Sequence, residues 1–199
     1  MKKVKKGNYG YIRYERKKRL LVTLVMFAIP LLIYVTGYIQ TKTRLNLFTF
    51  VAILGCLPAS RSMVGRSMIF MQKPVTPDVY EQEQKAAGSL RAGYEMFFTA
   101  YEHTTLVTAL VVCGPHVVCH TMDEKTDPAK LEKHISRLLA ANGFSDAQVK
   151  VLKDEKTYLQ RATDLNRKQE QLRGDAMDPN HPTLTYEEGI YQSLLAICL

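Results

Sequence analysis

The hydrophobic and polar positions divide the chain into a strongly apolar N-terminal part and a mixed remainder. Leu20–Ile39 holds twenty residues without a charged side chain, and such a helix at ~1.5 Å per residue crosses a hydrocarbon core of ~30 Å. A second apolar stretch begins at Leu45, after the five residues QTKTR. The pattern predicts a transmembrane helical hairpin over residues 20–71, with spans at about 20–39 and 45–64 and an interfacial extension.

After the membrane segment, apolar and polar residues alternate at the spacings of amphipathic helices and strands, as in a soluble domain. Two prolines within residues 72–78 predict an extended linker, and residues 79–199 follow as one small α/β or α+β domain. Apolar residues spaced by threes, fours and one seven from Tyr80 to Tyr101 predict a first helix, with Asp78 as its N-cap. The predicted order of elements in the domain is α-β-β-α-β-α-α.

The other elements of the domain follow from local signals. Dense β-branched residues around Gly114-Pro115 predict two strands joined by a tight turn. Pro128 after the N-cap residue Asp127 predicts the start of a helix, and Asn142-Gly143 predicts its end. Thr185 opens a capping box for a final helix. The predicted strands and helices lie at about 104–113, 116–122, 128–141, 147–153, 157–173 and 185–198.

The net charge of +8 is unevenly distributed. Residues 1–77 hold 14 Lys or Arg and one acid, a net charge of +13, whereas residues 78–199 carry a net charge of −5. An acidic domain argues against nucleic acid as a partner, because that binding needs a basic surface. Nine Lys or Arg precede the first span and two follow it, which predicts a protein that crosses the cell membrane twice, with both termini cytoplasmic.

Basic residues near the membrane have two interpretations. Residues 1–19 predict a cytoplasmic flank that attracts anionic lipid headgroups, although their alternation with tyrosines also suits a nucleic-acid or partner-binding arm. Arg61 and Arg66, at the end of the second span, are either snorkelling anchors or a site for an anionic lipid headgroup.

Cysteine and histidine cluster at the turn between the first two predicted strands. If Gly114-Pro115 forms a two-residue turn, Cys113 lies opposite His116. His120 shares their face, whereas Cys119 points to the other face. Cys113, His116 and His120 are therefore candidate zinc ligands, with an open coordination position as in catalytic sites. The alternative is that these are buried structural residues of the sheet.

An Asp-Glu-Lys triplet follows each of two strands that a crossover helix is predicted to make parallel. Both triplets then lie at the carboxyl ends of neighbouring strands, where open α/β sheets bind ligands and two carboxylates could hold Mg²⁺. This resembles the acidic-lysine pattern of metal-dependent nucleases, although the predicted order lacks one strand of that core. Alternatively, Asp and Glu end strands and cap helices without a catalytic role. The candidate residues are Asp123, Glu124, Lys125, Asp154, Glu155 and Lys156.

No motif in the soluble part specifies a reaction. The chain contains no nucleotide-binding glycine loop, G-x-S-x-G or H-E-x-x-H, so no cofactor is expected apart from Zn or Mg at the candidate sites. The leading hypothesis is a membrane-tethered cytoplasmic interaction or regulatory module without catalytic activity, which contacts an unknown protein through the helices at 157–173 and 185–198. The alternatives are a membrane-anchored metal-dependent hydrolase or nuclease-like domain, and an accessory subunit that joins a larger membrane complex through the hairpin.

Overall fold

A computed structural model describes residues 4–42, 50–57, 74–100, 103–173, 177–179, 181 and 183–198. The chain forms two units. Ile12–Lys73 is the apolar unit, whereas Met1–Tyr11 and Pro74–Leu199 together form the globular unit. The globular unit is therefore assembled from segments on both sides of the apolar unit in the sequence.

One long helix, α1 (Tyr11–Thr41), runs through the apolar unit. Its 31 residues give a length of ~46 Å, and its most apolar window has a mean hydropathy of 2.4. Large apolar side chains along it are exposed, among them Leu24 at 62% and Leu32 at 65%. Within the described residues, α1 alone is long and apolar enough to cross a membrane.

A second helical stretch in the apolar unit covers residues 50–57. A Cβ added to Gly55 would lie 3.1 Å from Cγ of Pro30 in α1. The glycine therefore allows this stretch to approach the proline of α1 closely. The remainder of the predicted span at 45–64 and the extension to residue 71, with Arg61 and Arg66, lie outside the described residues.

The globular unit contains a four-stranded mixed sheet in the spatial order β1-β2-β3-β4. The first three strands are antiparallel neighbours, and β4 runs parallel to β3. The strands are β1 (Arg91–Ala100), β2 (His103–Cys113), β3 (His116–His120) and β4 (Gln148–Leu152). The helices are α2 (Pro77–Ala87), α3 (Pro128–Ala141), α4 (Glu155–Arg167), α5 (Gln169–Leu172) and α6 (Tyr186–Ile197).

Local signals at helix ends are confirmed. The Asp127 carboxylate accepts two backbone N–H groups at the start of α3, and Gly143 takes a φ of 88° beyond its end. Thr185 accepts the backbone N–H of Glu188 at the start of α6. The crossover of α3 between the parallel strands β3 and β4 is also confirmed.

The first predicted helix of the domain is wrong beyond Ala87, where α2 ends. Arg91–Ala100 instead forms β1, which pairs with β2 along its length. Every residue from Gly93 to Phe98 is buried, and a strand covered on both faces lacks polar alternation, so its apolar residues also match helical spacing. The order is therefore α-β-β-β-α-β-α-α-α, and the N-cap of α2 is Thr76 instead of Asp78.

Helices cover both faces of the sheet. Helices α3 and α6 pack on one face, around Phe98, Leu139 and Leu194. Helices α2 and α4 pack on the other face, around Val111 and Tyr158. Side chains on the inner faces of α2 and α4 are therefore enclosed against the sheet.

Residues 4–11 pack in the globular unit, a contact that the sequence pattern did not predict. The backbone N–H of Tyr94 in β1 donates to the Gly7 carbonyl oxygen at 2.8 Å. The Lys6 ammonium donates to the Cys198 carbonyl oxygen at 3.0 Å, beyond the end of α6. This N-terminal segment is therefore bonded to β1 and to the residue that follows α6.

The same segment meets the chain where it returns from the apolar unit. The ring of Tyr9 stacks on Tyr80 of α2, with ring centroids 4.1 Å apart. The Tyr9 hydroxyl lies 3.5 Å from the Val75 carbonyl oxygen, just before α2. The segments that lead into and out of the apolar unit therefore touch each other within one fold.

Candidate functional site

The candidate zinc ligands share a face of the sheet but do not surround one point. Cys113 and His116 pair directly across the turn between β2 and β3, as predicted. His120 lies four residues along β3, which is ~13 Å from His116 at ~3.3 Å per residue, with Val118 between them on the same face. Because zinc binds its ligands at ~2.0–2.3 Å, these three side chains have no common position for one ion.

His120 instead joins a buried polar cluster with Glu83 of α2 and Thr108 of β2. The imidazole Nδ1 of His120 lies 2.6 Å from Oε1 of Glu83 and 2.8 Å from Oγ1 of Thr108. The Thr108 hydroxyl also donates to the His120 carbonyl oxygen at 3.1 Å. The side chains of Glu83 and His120 are 0% and 1% exposed, so these hydrogen bonds act in a low-dielectric interior and tie α2 to the sheet.

Tyr158 of α4 packs against this polar cluster. Its ring stacks on the His120 imidazole with centroids 5.2 Å apart. Burial, and then the Glu83 carboxylate, raise the pKa of the Tyr158 hydroxyl well above its usual range. Three polar atoms of this cluster are buried from solvent and have no hydrogen-bond partner among the described residues: Oε2 of Glu83, Nε2 of His120 and the Tyr158 hydroxyl oxygen. A carboxylate that orients an imidazole resembles an acid–base pair, but this pair presents no solvent-accessible reacting atom.

The two Asp-Glu-Lys triplets do follow parallel neighbouring strands. Their aspartates make local hydrogen bonds. Asp123 accepts the backbone N–H of Lys125 at 3.0 Å. Asp154 caps α4 and accepts the hydroxyl and backbone N–H of Thr157, which lower the pKa of the Asp154 carboxyl.

The two triplet loops also bond to each other. The Lys153 ammonium donates to the Glu124 carbonyl oxygen at 2.9 Å, while Glu155 and Lys156 form the first residues of α4. Among the described residues, no group of three or more His, Cys, Asp or Glu side chains could hold a metal ion. The structure therefore brings the triplets to one sheet edge, where their aspartates serve as turn and cap residues.

An open cleft of about 690 Å³ lies where the turn between β2 and β3 meets the ends of α5 and α6. Apolar side chains of Leu90, Pro115 and Leu172 line it. Gly114 in this turn has a φ of 54°, and a Cβ there would overlap the Leu172 carbonyl oxygen. Glycine at this position therefore permits the close packing of the turn on α5.

Paired charges of both signs surround the cleft. Arg91 lies 2.9 Å from Glu188, and Arg173 lies 3.0 Å from Glu187. Glu187 also accepts the backbone N–H of Gly114 at 2.7 Å. The two arginine side chains remain 47% and 43% exposed. The cleft therefore combines an apolar lining with accessible guanidinium groups.

Sequence reasoning missed both of these sites. Glu83 lies three residues after Tyr80 and four before Ala87, so the helical spacing alone places it on their inward stripe. Its burial could have been read from that spacing. The cleft could not have been predicted from the sequence, because Arg91, Arg173 and Glu187 come from separate parts of the chain.

Comparison with known proteins identifies no relative of this chain. It matches no protein-family model, no curated protein and no solved structure. Its function is therefore inferred from its own geometry.

Proposed function

We propose that this protein is a membrane-tethered interaction or regulatory module without catalytic activity, with its globular unit in the cytoplasm. The observation that supports the membrane arrangement in this proposal is the contact of Tyr9 with Val75 and Tyr80. It joins the segments on the two sides of the apolar unit in one fold. Both segments then lie on the same side of any membrane that the apolar unit enters.

A chain that starts and finishes on one side of a membrane crosses it an even number of times. Helix α1 is long enough for one crossing, and its exposed apolar side chains favour a lipid environment. A return crossing then falls between Lys42 and Lys73. These 32 residues exceed the ~20 that a helical span needs, and they include the predicted span at 45–64.

The contact of Gly55 with Pro30 supports the same hairpin. Small residues let membrane helices pack closely, and this glycine lies in the helical stretch at 50–57, inside the proposed second span. The charge asymmetry of the flanks orients the hairpin, with the basic N-terminus in the cytoplasm beside anionic headgroups. Arg61 and Arg66 remain candidates for contact with those headgroups.

We place the contact with a protein partner at the cleft. Leu172 of α5 and Tyr186 of α6 line it, and these are the ends of the two helices for which the sequence predicted partner contact. An apolar lining with arginines at its rim suits an extended polypeptide segment, because interfaces combine apolar cores with Arg-rich, polar rims.

Site-specific photocross-linking in membranes tests this placement. A photoreactive residue replaces Arg173 at the cleft, Arg137 on α3 as the matched exposed arginine, or Leu32 on α1. We expect a discrete cross-linked protein from position 173 and none from position 137. Cross-links confined to position 32 would instead favour the accessory-subunit hypothesis, in which the hairpin makes the contact.

A second substitution separates a specific cleft contact from chance proximity. Glu188→Arg inverts one charge at the rim and breaks a surface ion pair, which contributes ~1 kcal/mol or less. We expect the cross-link from position 173 to weaken while the melting temperature of the protein changes little. Equal yields with and without Glu188→Arg would contradict partner binding in the cleft.

A membrane-anchored metal-dependent hydrolase or nuclease-like domain is the second candidate. The observation in its favour is β1, since the predicted order lacked one strand of the core of metal-dependent nucleases. Melting of the full-length protein in detergent with Mg²⁺, Mn²⁺ or Zn²⁺ tests this candidate. A rise in melting temperature that Asp123→Asn removes would support it, and unchanged melting with all three ions would refute it.

A further inference from the structure

A second, smaller cavity of about 170 Å³ lies between the β3–β4 edge of the sheet and α4, apart from the cleft. Val118 and Leu165, which are 3% and 7% exposed, form its apolar base. His116, Lys150 and Arg161 line its walls together with Gln148 and Val149. Its lining within the described residues contains three basic side chains and no acidic one.

The sheet register explains why these side chains converge. His116 pairs with Gln148, and Val118 pairs with Lys150, across the parallel strands β3 and β4. Residues two apart on a strand share a face, so all four side chains start from the face that α4 covers. Arg161 lies one helical turn before Leu165 on α4, which directs both residues toward the same part of the sheet.

The basic groups at this cavity are available for a ligand. Within the described part of the chain, the His116 imidazole and the Arg161 guanidinium have no hydrogen-bond or ion-pair partner. The Lys150 ammonium lies 3.1 Å from Glu132 on α3 and is 61% exposed. Lys150 also lines the cavity, and its long, exposed side chain allows the ammonium to turn from Glu132 toward a bound anion.

We propose that this cavity, which we name the basic pocket (His116, Lys150 and Arg161), binds the phosphate group of a phosphate monoester. The guanidinium fork of Arg161 matches two phosphate oxygens, while the imidazole and ammonium donate to the remaining ones. A dianionic phosphate matches three surrounding basic groups better than a carboxylate does. The volume lies below the ~300–1,000 Å³ of sites that enclose larger ligands, so the pocket holds the phosphate and leaves the ester group outside.

A soluble phosphate ester and a phosphomonoester lipid present the same group to the basic pocket. Two arms of one experiment on full-length protein in a neutral detergent distinguish them. Calorimetric titration with inorganic phosphate and glycerol 3-phosphate measures binding of the soluble form. Melting in micelles with and without added phosphatidate measures binding of the lipid form.

The matched variants are Arg161→Gln in the pocket and Arg137→Gln on α3. Charge-assisted hydrogen bonds contribute strongly to anion binding, so we expect Arg161→Gln to weaken it roughly tenfold or more, and His116→Gln to weaken it less. Arg137→Gln should bind like the parent. Both arginine variants should melt like the parent without ligand, because both arginines are exposed.

The outcomes identify the ligand source or overturn the proposal. Saturable binding in the calorimetric arm that depends on Arg161 identifies a soluble phosphate ester as the ligand. Stabilisation by phosphatidate alone, lost in Arg161→Gln, identifies a lipid headgroup. Absence of binding in both arms, or equal weakening by Arg161→Gln and Arg137→Gln, would overturn the basic pocket as a phosphate site.

Discussion

Two glycines of the N-terminal segment form a matched pair for testing its docking. Gly7 and Gly10 have φ values of 81° and 86°, so alanine is similarly strained at both. Their surroundings differ. A Cβ at Gly7 would lie 2.7 Å from the Tyr191 hydroxyl oxygen and 2.8 Å from Cδ2 of Leu195, whereas a Cβ at Gly10 would meet nothing within 4 Å.

The difference in the free energy of unfolding between the two alanine variants measures how the N-terminal segment packs on α6. The left-handed backbone strains an alanine by ~1–2 kcal/mol at either position. Gly7→Ala also forces Tyr191 and Leu195 on α6 to move, and overpacking of this kind destabilises by ~1–3 kcal/mol. We therefore expect Gly10→Ala to lower the free energy of unfolding by ~1–2 kcal/mol and Gly7→Ala by about 2–5 kcal/mol.

Denaturant unfolding of the full-length protein in neutral detergent measures both values. The chain has 11 tyrosines and no tryptophan, so near-UV circular dichroism of the tyrosines reports the packing of the globular unit. A shift of the midpoint with unchanged slope would show that stability alone has changed. If Gly7→Ala and Gly10→Ala unfold at the same denaturant concentration, the N-terminal segment is not docked on α6.

Substitutions at three further positions test other parts of the fold. Gly114→Ala should lower the free energy of unfolding by ~2–4 kcal/mol, because its Cβ would overlap the Leu172 backbone; stability like the parent's would contradict this packing of the turn. Glu83→Ala removes the buried partner of His120 and should lower the free energy of unfolding by ~3 kcal/mol or more in the same assay. Glu83→Gln should be less damaging, and equal effects of the two changes would argue against the hydrogen bond between Glu83 and His120. The hydrogen bonds from Thr157 lower the pKa of Asp154 in the folded protein. The ionised Asp154 carboxylate therefore stabilises the fold above the ordinary aspartate pKa, and this stabilisation is lost as the pH falls through the pKa of Asp154 in the folded protein. Asp154→Ala should therefore reduce the fall of the melting temperature at acidic pH. A profile of melting temperature against pH that matches the parent's would contradict the role of Asp154 as the N-cap of α4.

Elements with strong local signals could be predicted from the sequence. Asp127 with Pro128 set the start of α3, and Gly114-Pro115 set the turn between β2 and β3. The long run of uncharged residues in α1 likewise has the length and composition of a span. In each case neighbouring residues alone determine the conformation, so no knowledge of tertiary packing is required.

Features that depend on tertiary contacts could not be predicted in this way. The run from Gly93 to Phe98 fits both helical and strand spacing, and only its pairing with β2 decides between them. The shared face of Cys113, His116 and His120 follows from strand period, but their separation along the sheet decides that they do not meet. The docking of Gly7 and Tyr9 joins residues far apart in the sequence, so the local pattern of charges and tyrosines could not indicate it.

The proposed even number of membrane crossings is tested most directly by thiol accessibility in intact cells. Lys5→Cys in the N-terminal segment, Lys42→Cys after α1 and Glu170→Cys on α5 are introduced one at a time into the full chain, with the parent as background. The proposed hairpin predicts that an impermeant maleimide labels Lys42→Cys from outside, and labels Lys5→Cys and Glu170→Cys only after permeabilisation. Labelling of Lys5→Cys and Glu170→Cys from opposite sides, or of all three from one side, would contradict the proposed hairpin.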